Sequence, residues 1–280
     1  MRPFGDAHPT PKGIAPLLRW AGSKRKLLPE LVKHVPSSYG RYIEPFGGSA
    51  CLFFALQPAA AILSDLNPEL IQTYSVLKSQ PKLLHRTVAT MPQTEAFYYE
   101  LRAQSSQGSD TLLRAARFVY LNRNCFNGVY RTNRQGHFNV PRGQRPGALP
   151  DESHFLDCAK ALKGAELISG DFEAAAARAR HGDFVYLDPP YAKRGSRRRG
   201  EYGYGSFDVP DLDRLAQCLQ NLHRLGVTFL LSYVDCPEIQ TIAAGWSTQS
   251  LVVRRHVAGF HSNRGLVTEL LVSNRSLVSA

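Results

Sequence analysis

Asp183-Phe-Val-Tyr-Leu-Asp-Pro-Pro-Tyr191 is the stretch from which the fold of this chain is best argued. Phe184 to Leu187 are apolar, β-branched or aromatic, which predicts a short buried strand. The two prolines that follow lack N–H donors and fix two φ angles, so the strand must end at Asp188. Open α/β sheets bind ligands at the carboxyl ends of their strands. The pattern therefore predicts an α/β protein that presents Asp188 and Tyr191 to a ligand, although a plain surface turn also fits.

Two further strands with ligand-facing turns are predicted upstream. Arg41 to Leu56 reads as a strand, a glycine turn and an apolar helix, and the glycines let the backbone pass close to a ligand. A second strand, from Ala61 to Ser64, ends at Asp65. An acid at the end of the second strand of a βαβ unit commonly holds ribose hydroxyls, but Asp65 is equally suited to cap the following helix together with Asn67.

Three cations open a predicted helix near the N-terminus. Ser23 is a plausible N-cap for a helix running to about His34, and Lys24, Arg25 and Lys26 lie in its first turn. Cations there oppose the helix dipole, so the pattern favours an anionic carboxylate or phosphate held at this point over a merely exposed basic turn.

The βαβ pattern is interrupted for about 90 residues and then resumes. Helices are predicted at 70–77, 94–103 and 111–121, followed by a loop rich in glycine and proline. Strands are then predicted at 165–169, 227–233, 251–256 and 266–274, with helices at 173–180 and 210–225. The prediction is a flexible N-terminus at 1–14, a catalytic α/β domain at 15–67 and 160–280, and an inserted, mainly helical domain at 68–159.

The basic residues are clustered in a chain of formal net charge +11. Thr111 to Pro150 holds seven arginines and no acidic residue, interleaved with aromatic and asparagine side chains. Such a mixture suits phosphate and base-edge contacts better than a solvated face, and predicts a nucleic-acid partner. A second cluster lies in the glycine-rich segment Lys193 to Phe207, whose length predicts a mobile binding segment that becomes ordered when its partner binds.

The composition also excludes several classes of protein. No apolar run approaches the roughly 20 residues that span a bilayer, and the first 13 residues lack the apolar core of a secretory signal. The five cysteines are odd in number and widely spaced, without a Cys-x-x-Cys pair. We therefore predict no metal site and no disulfide framework, and a reducing, cytoplasmic location.

Six motifs, taken in order, closely resemble those of the Dam-like (D12 class, group alpha) DNA adenine-N6 methyltransferases. They are Arg19-Trp-Ala-Gly-Ser-Lys24, Glu44-Pro-Phe-Gly-Gly-Ser49, Ser64-Asp-Leu-Asn67, the block 121–143, Gly170-Asp-Phe172 and Asp188-Pro-Pro-Tyr191. The resemblance extends from Leu17 to Asn274 and depends on the order of the motifs and on the long block. It implies a Rossmann-like sheet that binds S-adenosylmethionine, with an inserted target-recognition domain.

The resemblance implies roles for individual residues. Asp65 would take the ribose hydroxyls of the cofactor, and Asp171 with Phe172 its adenine. Tyr191 would stack on a flipped target adenine whose N6–H groups bond the Asp188 side chain and the Pro189 carbonyl. The implied cofactor-binding residues are Trp20, Lys24, Glu44, Phe46, Gly47, Asp65, Asp171, Phe172 and Asp188, and the implied catalytic residues are Asp188, Pro189, Pro190 and Tyr191.

The same resemblance implies a reader of double-stranded DNA. Arg131 would contact a guanine through two hydrogen bonds, Phe126 and Asn127 would brace the stack beside the flipped base, and Arg19 would contact a flanking base pair. The implied DNA-binding residues are Arg19, Arg123, Phe126, Asn127, Val129, Arg131, Asn133, Arg134, Arg197 and Arg198. We expect GATC as the recognition site of a bacterial or phage enzyme that acts on nucleoid DNA as a monomer, with a dimer on DNA as the alternative. The sequence leaves open whether a restriction nuclease accompanies it.

Three competing functions fit parts of this sequence less well. A cytosine-N4 methyltransferase would use the same turn, but more often with serine where this chain has Asp188. An RNA or protein amide methyltransferase would begin the turn with asparagine and would not need the basic insert. A non-catalytic nucleic-acid-binding module would not need Trp20, Lys24, Asp65 and Asp188 together.

Overall fold

The computed structural model describes residues 13–104, 110–133, 136–192, 207–254 and 266–277. The described strands are β1 (Tyr42–Glu44), β2 (Ala61–Asp65), β3 (Ala165–Ser169), β4 (Phe184–Leu187), β5 (Thr228–Val234), β6 (Ser247–Arg254) and β7 (Leu266–Ser273). The described helices are α1 (Leu28–Lys33), α2 (Cys51–Leu56), α3 (Pro68–Ser79), α4 (Pro81–Ala89), α5 (Glu95–Ala103), α6 (Thr111–Asn124), α7 (Glu152–Leu162), α8 (Phe172–Ala176), α9 (Val209–Arg224) and α10 (Pro237–Ala243).

The seven strands form one sheet in the order β3-β2-β1-β4-β5-β7-β6. The first five are parallel, and β7 runs antiparallel between β5 and β6. All four residues of β4 are buried, as predicted for Phe184 to Leu187. The order of the strands reverses between β1 and β4, and a parallel sheet binds its ligands at such a switch point. The Asp188 turn therefore lies beside the natural crevice of the sheet.

Each face of the sheet is covered by helices. One face contributes Tyr42 and Phe184 to a core that also contains Tyr98 of α5, Phe118 of α6 and Phe155 of α7. The helices between β2 and β3 thus share a continuous core with the sheet. The other face contributes Val185 and Phe229 to a core with α8, α9 and α10.

Two predicted helices differ from the structure. The chain after Ser23 forms a 3-10 turn (Lys24–Leu27) before α1, and Ser23 does not cap it through its side chain; instead the Ser23 hydroxyl accepts a hydrogen bond from Ser49. The helix expected at 173–180 ends at Ala176, because Arg180 N–H donates to Asp183 and draws the chain toward β4. Helices α4, α7 and α10 were not predicted.

The described part of the chain contains no helix that is both long and apolar enough to cross a membrane. The predictions for residues 1–12 and for the basic segment at 193–206 fall outside the described residues.

Candidate active site and DNA interface

A cleft of about 1120 Å³, its open mouth included, lies at the carboxyl ends of β1, β2, β3 and β4. Four turns line it, one after each of these strands, together with the segment Trp20 to Lys24. The structure brings to this cleft every residue that the sequence suggested for cofactor binding or catalysis: Trp20, Lys24, Glu44, Phe46, Gly47, Asp65, Asp171, Phe172, Asp188, Pro189, Pro190 and Tyr191.

Asp65 shapes the turn after β1. Its carboxylate accepts hydrogen bonds from Gly48 N–H and from Asn67 N–H, each at 2.9 Å. Burial raises the pKa of Asp65, and the two backbone bonds oppose that rise. The side chain of Asn67 caps α3 by accepting from Glu69 and Leu70. The sequence allowed Asp65 either to cap the helix or to face a ligand. In the structure Asn67 caps the helix, and Asp65 faces the cleft.

Glu44 is a buried acid at the end of β1, with 2% of its surface exposed. Tyr42 Oη donates a hydrogen bond to Glu44 Oε2 at 2.7 Å. Burial raises the pKa of Glu44 to about 8, although the bond from Tyr42 acts against the rise. Glu44 is therefore protonated at neutral pH, and it offers the cleft a donor as well as an acceptor.

Three phenylalanines form the end of the cleft near α8. Phe46 stacks on Phe172 with ring centroids 5.1 Å apart, and Phe207 meets Phe46 edge-on. The guanidinium of Arg214 lies 4.9 Å from the centroid of Phe172 and pairs with Asp171 at 2.6 Å. Phe207 and Arg214 were not predicted as site residues, because nothing in their local sequence distinguishes them from ordinary residues at a helix start.

The Asp188 carboxylate is fixed by two donors from distant parts of the chain. Lys24 Nζ lies 2.6 Å from Oδ1, and Ser232 Oγ donates to the same oxygen at 3.1 Å. Ser232 in turn bonds Tyr186 Oη at 2.9 Å. Burial raises the pKa of Asp188, and the Lys24 ammonium opposes that rise. Burial acts to lower the pKa of Lys24, but the nearby acidic groups, Asp188 foremost, outweigh it, so the pKa is raised and Lys24 is an ammonium.

Tyr191 is held by one residue of β5 and one of β7. Its ring meets that of Tyr233 edge-on with centroids 5.1 Å apart, and its hydroxyl donates to Glu269 Oε1 at 2.8 Å. Sequence reasoning missed Ser232, Tyr233 and Glu269. Glu269 did carry a signal, because it is an acid within the apolar strand Leu266–Ser273.

The predicted DNA-contacting residues after α6 lie on an irregular loop. Phe126 is 38% exposed, which is unusual for a phenylalanine, and Asn127 adopts a left-handed backbone with φ 53°. Arg131 Nε donates to Asn139 Oδ1 at 2.8 Å. Val129 is half-buried against the core, and the exposed Asn133 accepts from His137 N–H. The predicted residues Arg134, Arg197 and Arg198 lie outside the described residues.

Arg19 and Arg123 are engaged with the protein backbone. Arg19 Nη1 donates to the carbonyl of Arg123 at 3.1 Å, and Arg123 donates to the carbonyls of Leu17 and Ala148. These bonds connect the segment before Trp20 to the end of α6 and the loop after it, so both arginines have a structural role besides the predicted contact with DNA.

A stack of aromatic rings continues this connection. Trp20 lines the cleft and stacks on Tyr130 with centroids 6.0 Å apart, and Tyr130 stacks in turn on Phe118. Tyr130 Oη donates to Glu69 at 2.6 Å. Because Arg131 follows Tyr130 directly, the cleft and the predicted guanine reader are linked by packed rings.

A sheet of this order, with an acidic turn after its central strand and a cleft over the switch point, has the architecture of an α/β methyltransferase. Residues 20–257 match the family model of the D12 class N6 adenine-specific DNA methyltransferases, and the chain belongs to that family. Its reaction is therefore methyl transfer to N6 of adenine in DNA, and cytosine N4 is not favoured.

Relatives that match more than nine tenths of this chain support the assignment. The chain is 32% identical over 271 residues to the type II methyltransferase M1.LlaDCHI of Lactococcus lactis subsp. cremoris, covering 93% of this chain and 95% of that protein. It is 29% identical over 260 residues to a DNA adenine methylase of Vibrio cholerae, covering 91% and 94%. With the DNA N-6-adenine-methyltransferase of Escherichia phage P1 it shares 31% identity over 265 residues, 91% of this chain and 35% of that protein.

Proposed function

We propose that the protein transfers the methyl group of S-adenosylmethionine to a flipped adenine in double-stranded DNA, with Asp188 and Tyr191 holding the target base. The observation that carries this proposal is the hydrogen bonding of Asp188. Among the described residues, both donors to its carboxylate, Lys24 and Ser232, bond Oδ1. Oδ2 thus keeps its lone pairs for a donor in the cleft, and the exocyclic amine of adenine is such a donor.

The residues of the cleft fit S-adenosylmethionine. Besides the protonated Glu44, the lining contains the carboxylates of Asp65, Asp171, Asp188 and Asp211 but only two basic side chains, in a chain of formal net charge +11. A local excess of acids suits the sulfonium and ammonium groups of this cofactor. Phe46 and Phe172 supply a stacked aromatic surface for its adenine, and Asp65 lies where ribose hydroxyls are commonly bound.

The methyl donor supplies an electrophilic methyl group on sulfur, and the protein supplies the alignment. Tyr191 stacks on the target adenine after the base has left the duplex, an extrusion that costs a few kcal/mol. Asp188 Oδ2 and the carbonyl of Pro189 accept the two N6–H groups and so direct the nitrogen lone pair toward the methyl group. The N–C bond would form as the S–C bond breaks, which leaves a neutral thioether, and the methylated nitrogen would lose a proton to Asp188 Oδ2 and from there to solvent. Positioning of the two bound reactants would contribute most of the rate enhancement.

Recognition of DNA is proposed for the loop after α6. Arg131 has a guanidinium already oriented by Asn139, which suits a paired contact with guanine O6 and N7. The exposed Phe126 suits insertion beside the extruded base. We propose that Arg19, Arg123, Asn127, Val129, Asn133, Arg134, Arg197 and Arg198 complete the interface and that the site is GATC. The protein would act on nucleoid DNA in the cytoplasm.

Single-molecule sequencing of DNA from a methylation-free host that expresses the protein tests this function. We expect N6-methyladenine in every copy of GATC. Methylated adenine at a different motif would reject the proposed site while leaving the reaction intact, and methylated cytosine or no modified base would reject the proposal. Because one chain holds both the cleft and the recognition loop, we propose a monomer. Sedimentation with and without a DNA duplex separates this from a dimer on DNA.

A further inference from the structure

Glu269 is a buried acid that none of the six motifs includes. It lies in β7 with 3% of its surface exposed. Because β7 is antiparallel to β5, Glu269 pairs with Val234 at the carboxyl end of that strand. The sheet thereby brings it to the edge where the Asp188 turn follows β4.

The carboxylate of Glu269 contacts the ring proposed to receive the target base. Tyr191 Oη donates to Glu269 Oε1 at 2.8 Å. The ring edge meets Tyr233, and Tyr233 Oη accepts from the N–H of Ala192 at 2.6 Å. The ring of Tyr191 is therefore fixed at its hydroxyl by Glu269 and at its backbone end by Tyr233.

The same hydroxyl connects Glu269 to Lys24. Lys24 Nζ lies 3.4 Å from Tyr191 Oη and 2.6 Å from Asp188 Oδ1. The buried ammonium therefore lies between two carboxylates, Asp188 directly and Glu269 through the tyrosine. A buried cation needs a compensating negative charge nearby. Because Glu269 supplies part of that charge, Asp188, which the substrate must reach, does not have to compensate Lys24 alone.

We propose that Glu269 is a positioning residue for methyl transfer, which fixes the ring plane of Tyr191 and helps to hold Lys24. This inference rests on the proposed role of Tyr191 as the platform for the target base. Without Glu269 the ring would turn about its side-chain bonds, and the stacked adenine would lose its alignment with the methyl group. Small misplacements of bound reactants cost up to about 100-fold in rate.

The kinetics of four variants of the whole chain test the proposal. We expect Glu269→Leu to lower kcat by about 10- to 100-fold with little change in KM for DNA, and Glu269→Gln, which keeps an acceptor oxygen, to lower it less. Tyr191→Phe removes the shared hydroxyl. In that background Glu269→Leu should cost less than about two-fold further, because both changes break the same contact.

A fluorescent readout separates positioning from a general loss of structure. A DNA duplex with 2-aminopurine at the target position becomes bright when the base is flipped and unstacked. We expect Glu269→Leu to bind this DNA like the parent protein but to give higher fluorescence, because the base no longer stacks firmly. Ser273→Ala is the matched control, at another buried position of β7. It removes the 2.7 Å hydrogen bond that Ser273 Oγ donates to the carbonyl of Phe229 in β5. It should lower stability without changing fluorescence or kcat.

Several outcomes would overturn the inference. The first is a kcat in the double variant that falls by the product of the two single losses. The second is a kcat of Glu269→Leu within two-fold of the parent protein. The third is a kcat of Glu269→Gln as low as that of Glu269→Leu. If Glu269→Leu does not fold, the comparison of Glu269→Gln alone with Glu269→Gln in the Tyr191→Phe background decides in the same way. Failure of the proposed function is recognised separately, because the parent protein would then give neither methylated adenine nor a fluorescence change.

Discussion

A Cβ atom at position 48 would lie 2.9 Å from Cδ1 of Trp20, so the indole packs directly on the glycine turn of the cleft. Gly48 also has φ +46°, a conformation that side chains disfavour. The turn and the indole are therefore fitted to each other, and a larger residue at position 48 must displace Trp20.

We expect Gly48→Ala to raise the Kd for the cofactor about 10-fold and to destabilise the fold by about 1–3 kcal/mol, because it combines backbone strain with the displacement of Trp20. Gly182→Ala is the matched control. Gly182 has φ +82° but open space around its Cα, so its substitution should cost stability alone. Titration calorimetry with a cofactor analogue and thermal melts of both variants check this; equal cofactor affinities would contradict it.

Asp188→Asn should lower methyl transfer by about 100-fold or more while cofactor and DNA binding change little. Lys24 and Ser232 both donate to Oδ1, so the amide oxygen of asparagine should be held there. Its NH₂ group would then occupy the position of Oδ2, where it cannot accept from adenine. Asp188→Ala is a poorer probe, because it leaves the buried Lys24 ammonium unpaired at a cost of about 3–5 kcal/mol. Near-normal turnover of the asparagine variant, measured with tritiated cofactor, would refute the mechanism.

Arg131→Lys should relax base preference at one position of the site by about 1–3 kcal/mol, because lysine keeps the charge but loses the forked donor. The bond from Arg131 Nε to Asn139 is lost as well. Asn139→Ala should give part of the same effect, since it frees the guanidinium that Asn139 orients. Comparing kcat/KM on duplexes with single base changes measures both, and an unchanged preference in Arg131→Lys would exclude Arg131 as the reader.

The buried acid Glu44 should make stability depend on pH. Its pKa is about 8 in the folded protein and about 4.3 when the chain is unfolded. Between these values the folded state binds a proton that the unfolded state has lost. The free energy of unfolding therefore falls as pH rises through this window, by up to about 1.4 kcal/mol per pH unit from this group.

Glu44→Gln removes this titration and keeps an acceptor for the Tyr42 hydroxyl. Its stability relative to the parent protein should increase steadily from pH 5 to pH 8. Urea denaturation at three pH values measures the difference, and a constant difference across the range would show that Glu44 does not titrate as expected.

The sequence predicted the Asp188 turn well because its cause is local. Prolines at 189 and 190 terminate a strand whatever surrounds them, and an apolar run before them predicts its burial. The alternating strands and helices likewise follow from hydrophobic periodicity. Helices α4 and α7 were not predicted, although their buried residues do have helical spacing: Leu84 and Val88 in α4, and Phe155, Cys158, Ala159 and Leu162 in α7.

The contacts of the site were beyond sequence reasoning. Lys24 and Asp188 are 164 positions apart, and no local pattern indicates that one will be the counterion of the other. The pair forms because the sheet places β4 beside β1. Arg123 is predicted to contact DNA, and its guanidinium also bonds the carbonyl of Leu17, which its charge alone does not indicate. A cluster of positive charge predicts an anionic partner, but packing decides how many N–H groups of each arginine remain available to bind that partner.

The pairing of β1 with β4 has a consequence for synthesis of the chain. Arg41 and Asp183, which flank this pairing, are 142 residues apart. A nascent chain therefore emerges with β1 and β2 long before β4, the second partner of β1, exists. The contacts among the intervening helices are nearer in sequence and form sooner. The cleft is lined by turns from both parts of the chain, so a ligand can stabilise only the completed sheet. Folding of this protein therefore ends with a pairing, β1 with β4, between segments far apart in sequence.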